Sequence, residues 1–95
     1  MATGPHHVLV YDYVDDILER RAPHREAHLA RIDEWIGSGS MLMAGALGDP
    51  PTGALFVFGD VAAADIDRYA EADPYVVAGL VTARRVTPWT VVRSA

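Results

Sequence analysis

The chain contains no cysteine. Disulfides, thiolate metal sites and cysteine nucleophiles are therefore excluded. It also lacks lysine: its eight cations are all arginine. They are scattered, apart from the pairs Arg20/Arg21 and Arg84/Arg85. The net charge is −5. Phosphate binding needs clustered cations, so nucleic acid is not expected as a partner. Long hydrophobic runs are missing too. The apolar stretch from Val8 to Tyr13 is too short for a signal core or a membrane span, and Asp12 interrupts it. The expectation is a soluble, cytoplasmic protein with no membrane contact. Length is a further restriction. A chain of 95 residues makes one small domain, residues 1–95, with no room for a dinucleotide-binding fold. Such a chain buries roughly 60–65% of the surface its unfolded form exposes. With 51% hydrophobic and 22% charged residues it belongs among globular chains, not disordered ones.

Residues His6 to Tyr13 are rich in Val, Leu and Tyr and suit a strand. Asp15 and Asp16 are expected to cap a helical turn running to Arg21. Pro23 interrupts that turn and fits the first position of a new helix, Pro23 to Ile36. Gly37-Ser38-Gly39-Ser40 stops this helix. Met41 to Leu47 reads as a strand, Gly48 to Gly53 as a loop, and Ala54 to Phe58 as a third strand. Ala62 to Ala72 reads as a helix with Ile66, Tyr69 and Ala70 on one stripe. Asp73-Pro74 breaks it, and Pro74 to Leu80 allows one more short turn. Val81 to Val92 is the last strand, expected to bend or break near Pro88.

The order strand, helix, strand, strand, helix, strand is the ferredoxin-like βαββαβ pattern. It implies an α+β fold, a four-stranded antiparallel sheet with its helices on one face. The strands are apolar on both faces. In Ala54-Leu55-Phe56-Val57-Phe58 neither alternate set is polar, whereas a face open to water should alternate. The helices cover one face only, so a second copy of the chain is expected on the other.

The leading candidate for chemistry is His28. On the helix, Leu29, Ile32 and Ile36 form the expected buried stripe. His28 precedes Ile32 by four residues and points roughly 40° from it, at the edge of the stripe. Arg25, three residues earlier, shares that flank. An imidazole there is either a general acid or base or a hydrogen-bonded histidine in ordinary packing. Asp73 is the second candidate. Its carboxylate either orients an imidazole or caps the turn begun by Pro74, and the two roles are compatible. His24 and His28 are four apart, a spacing that metals use. No further ligand is evident and Arg25 opposes a cation, so no metal is expected. Gly45 allows a bulge or the close approach of a ligand. Tyr11 and Tyr75 offer hydroxyls to a pocket or rings to the core, while Trp35 and Trp89 are core or interface candidates.

These residues resemble the YciI-like (YCII-related) family. The resemblance is carried by Arg25-Glu26-Ala27-His28-Leu29-Ala30-Arg31-Ile32, by Gly39 to Gly45, and by Gly53 with its strand. It is strongest at Ala72-Asp73-Pro74-Tyr75-Val76-Val77-Ala78-Gly79-Leu80, followed by Val86-Thr87-Pro88-Trp89. It implies the dimeric α/β barrel superfamily, in which ferredoxin-like chains dimerise sheet to sheet. It also implies a family His-Asp pair, which maps onto His28 and Asp73. One family member resembles a dehydrochlorinase acting on a chlorinated hydroxyquinol. The chain departs from many relatives in having Gly45-Ala46 where they have Gly-Pro, and in a short loop through Pro50-Pro51. Both positions shape the pocket rim, so no particular substrate carries over.

The expectation is a cofactor-independent enzyme for elimination, isomerisation or lyase chemistry on a small organic anion. His28 serves as acid or base, Asp73 holds its tautomer, Arg25 binds the anion, and Tyr75 and Gly45 line the pocket. The rival readings are a non-catalytic dimeric module that binds a small molecule, and an interaction domain with no occupied pocket.

Overall fold

The computed structural model describes residues 4–95. Its elements are β1 (Gly4–Tyr13), α1 (Ile17–Arg20), a 3-10 turn (Ala22–His24), α2 (Arg25–Gly37), β2 (Met41–Leu47), β3 (Gly53–Phe58), α3 (Ala63–Glu71), α4 (Pro74–Val77) and β4 (Val81–Val91). The four strands form one antiparallel sheet in the order β2-β3-β1-β4, with the helices on one face. The ferredoxin-like expectation holds.

Alternation along the central strands sorts their side chains. Leu9 and Tyr11 of β1 lie opposite Phe56 and Ala54 of β3 and face the helices. Ile66, Tyr69 and Ala70 of α3 close this core, as their stripe predicts. Val8 and Val10 lie opposite Val57 and Leu55 on the other face. Met43 and Trp89 stand on that same face, 62% and 47% exposed. The apolar open face read from the sequence is therefore present. Trp89 belongs to it, edge-on to His6, while Trp35 is half-buried against the core.

Four expectations need correction. Asp16 makes no capping hydrogen bond, and its carboxylate pairs with Arg20 at 3.6 Å instead. The second helix starts at Arg25, because Pro23 sits in the 3-10 turn that feeds it. Its inward face is His28, Ile32 and Trp35, not Leu29, Ile32 and Ile36. Leu29 and Ile36 are exposed and His28 is the buried residue of the helix. β4 also runs unbroken through Pro88. As an edge strand it tolerates a residue that cannot donate to the ladder. Among the described residues no helix is long and apolar enough to cross a membrane.

Gly53 illustrates how tightly the sheet is assembled. A Cβ at this position would strike the backbone carbonyl of Tyr11. Gly53→Ala is expected to lower stability by about 1–3 kcal/mol, the usual cost of overpacking. Denaturant unfolding checks this, and an unchanged midpoint would contradict it.

Burial also pushes the phenols of Tyr11, Tyr13 and Tyr69 well above their ordinary value of 10.0, with desolvation the main cause. The fold favours the neutral phenols, so their contribution to stability is complete below pH 10.0 and lost as the pH rises beyond it. Phenolate absorbance of these three side chains is expected to rise together with loss of the circular dichroism signal. Smooth ionisation near pH 10.0 in a folded chain would refute this.

Candidate active site

The short helix α4 begins with the sequence Asp73-Pro74. Pro74 occupies the first turn, where its missing N–H is no loss, and Asp73 is the N-cap. The Tyr75 N–H donates to Asp73 Oδ1 at 3.0 Å. The same oxygen accepts from His28 Nδ1 at 2.8 Å. The Tyr11 hydroxyl donates to Asp73 Oδ2, also at 2.8 Å. The two readings of Asp73, cap and imidazole partner, are thus both realised geometrically. Asp73 is 1% exposed and His28 5%.

A carboxylate only accepts, so Nδ1 of His28 donates and the proton of the neutral ring resides there. Nε2 has no protein partner among the described residues. The Tyr75 ring stacks on the imidazole, centroids 3.7 Å apart and planes 4° from parallel, which fixes the ring plane. Phe56 meets it edge-on at 6.3 Å. The Tyr11 hydroxyl stays a donor at any working pH, because burial and the nearby Asp73 charge both resist its ionisation.

His28 lines a cavity of about 270 Å³ between α2 and the strands β2 and β3. Arg25, Gly45 and Tyr75 line it as well. Four of the five residues singled out from the sequence therefore share one cavity. The fifth, Asp73, lies behind His28 and away from the lining. Sequence reasoning missed Arg21 and Tyr13 as lining residues, and Tyr11 as the second support of Asp73. Arg21 stands four residues before Arg25, but the 3-10 turn lies between them, so that spacing put the two on no common helix face. Tyr11 shares the face of Leu9, which marked it as inward-pointing. The Tyr75 hydroxyl is buried without a hydrogen-bond partner among the described residues. Among the described residues no group of three or more His, Asp or Glu side chains converges as a metal site, and His24 does not line the cavity.

This arrangement resembles that of known proteins in fold. The chain superimposes on 5-chloro-2-hydroxyhydroquinone dehydrochlorinase from Burkholderia phenoliruptrix AC1100, solved with 2,5-dihydroxybenzoquinone. The TM-score is 0.75 at 20% identity, covering 90% of this chain and 93% of that one. A candidate antibiotic biosynthesis monooxygenase from Nitrosomonas europaea matches with TM-score 0.59 at 16% identity, over 97% and 94% of the two chains. A dimeric ferredoxin-like protein from an uncultured marine organism gives 0.53 at 13%, over 99% and 92%. None of the curated proteins matches the chain. At these identities the structural likeness is one of fold alone. The family model of the YCII-related domain matches residues 6–90, so the chain belongs to that family.

Proposed function

We propose that the protein is a cofactor-independent enzyme that moves protons on a small organic anion, by elimination, isomerisation or lyase chemistry. The observation that carries this reading is the buried relay Tyr11–Asp73–His28, which ends at a cavity wall. Asp73 holds the imidazole in one tautomer and offsets the positive charge that develops when Nε2 takes a proton. Tyr11 and the Tyr75 amide hold Asp73 in turn. Nε2 is the group that gives or takes the proton, and Arg25 attracts the anionic part of the substrate. Similarity in fold to a dehydrochlorinase, an elimination enzyme, supports the reaction class.

The same reading makes the protein a homodimer joined through the open sheet face. Val8, Val10, Leu55 and Val57 form an apolar surface there, extended by Met43 and Trp89. A face of this kind favours coverage over hydration. A structurally similar protein is itself dimeric.

Three outcomes are expected, two for the dyad and one for assembly. His28→Gln lowers turnover of small hydroxylated or halogenated ring anions by about 10²–10⁴-fold, the usual contribution of a positioned acid or base. Circular dichroism remains unchanged. In Asp73→Asn, nitrogen NMR finds the His28 proton no longer confined to Nδ1. Equal turnover in wild type and His28→Gln would overturn the catalytic reading and leave a binding module. The third outcome concerns assembly. Leu55→Asp places a charge in the middle of the open face and is expected to yield folded monomers in sedimentation velocity. A wild-type monomer, or a dimeric variant, would refute the sheet-to-sheet pairing.

A further inference from the structure

The protein carries a net charge of −5, and half of its eight arginines have visible side-chain partners. Arg20, Arg68 and Arg84 pair with Asp16, Asp65 and Glu71. Arg31 donates to the Tyr69 carbonyl at 2.8 Å and lies over the Tyr69 ring. The side chains of Arg21 and Arg25 make no ion pair and no hydrogen bond among the described residues. Both line the cavity of His28, whose wall contains no carboxylate. The 3-10 turn around Pro23 separates them and brings both to the same space. Their positive charges both act on the Tyr13 hydroxyl, another lining group.

The rest of the wall is of a different character. Phe56, Ile32, Leu29 and Ala54 are apolar, and Gly45 adds no side chain. The cavity volume of about 270 Å³ lies just below the usual range of ligand sites, about 300 to 1,000 Å³. That accommodates one ring. Guanidinium is planar and presents paired N–H donors that match a carboxylate.

We propose that Arg21 and Arg25 together form an anion cradle, and that the ligand is a monocyclic ring bearing a carboxylate. The carboxylate sits between the guanidiniums and the ring lies on the apolar wall, within reach of His28. Arg21 is thereby a specificity-determining residue. The inference rests on the reading of this cavity as the ligand site, but not on any reaction occurring there.

Benzoate and its neutral counterpart benzamide separate these terms. Both are titrated by NMR at low salt into wild type, Arg21→Gln, Arg25→Gln and His28→Gln. Benzoate is expected to shift the amides of Gly45 and Tyr75. Its affinity falls about tenfold in each arginine variant, as loss of a charge-assisted contact implies, and benzamide binds at least about tenfold more weakly. Benzoate binding weakens as salt rises. His28→Gln retains the preference for benzoate. Equal binding of benzamide and benzoate, unchanged affinity in Arg21→Gln, or no benzoate binding would each overturn the cradle. A preserved benzoate preference without proton-transfer turnover would uphold the cradle and remove the catalytic reading alone.

Discussion

One buried carboxylate governs the helical side of this molecule. Asp73 is almost fully withdrawn from water, yet it receives three hydrogen bonds, from β1, α2 and α4. An unpaired charge in such a place is costly, and losing one partner of a buried pair typically costs about 3–5 kcal/mol. The donors therefore constrain one another. Tyr11 must point inward from the sheet, α2 must turn His28 toward the sheet, and α4 must begin at Asp73. The partners are separated by 62 and 45 residues, so the carboxylate ties distant parts of the chain into one geometry.

The sheet divides the remaining work between its two faces. On the helix side, the rings of Tyr11, Phe56, Phe58 and Tyr69 pack edge to face, a rigid wall behind the cavity. Apolar area leaving water drives this packing, and the polar relay is set into it. On the open side Met43 and Trp89 stand exposed and Val8, Val10 and Leu55 are only partly covered among the described residues. A cavity beside one face and an apolar surface on the other both follow from strands that are apolar throughout.

The helix phase shows where sequence reasoning stopped. Two stripes pass through Ile32: Leu29-Ile32-Ile36 and His28-Ile32-Trp35. Hydropathy prefers the first, because it contains three aliphatic residues. The structure uses the second, because Asp73 makes burial of an imidazole favourable. That compensation comes from a residue 45 positions away and leaves no local trace. Arg21 escaped notice for a similar reason. It lies in an irregular connection, and only the 3-10 turn decides where its side chain arrives.

Read alone, the sequence determined the order of elements, the two apolar faces of the strands, the stripe of α3 and the cap at Asp73. Each is a local matter of periodicity, proline and glycine chemistry, or side-chain capping, and is legible within about ten residues. It also supplied His28, Asp73, Arg25, Tyr75 and Gly45 as candidates. Tertiary structure alone decided that His28 reaches Asp73, that Tyr11 holds the same carboxylate, and that Arg21 and Arg25 face one cavity. Those contacts depend on how helices settle on a twisted sheet. Burial energy, summed over the whole core, sets that arrangement, and no short stretch of sequence encodes it.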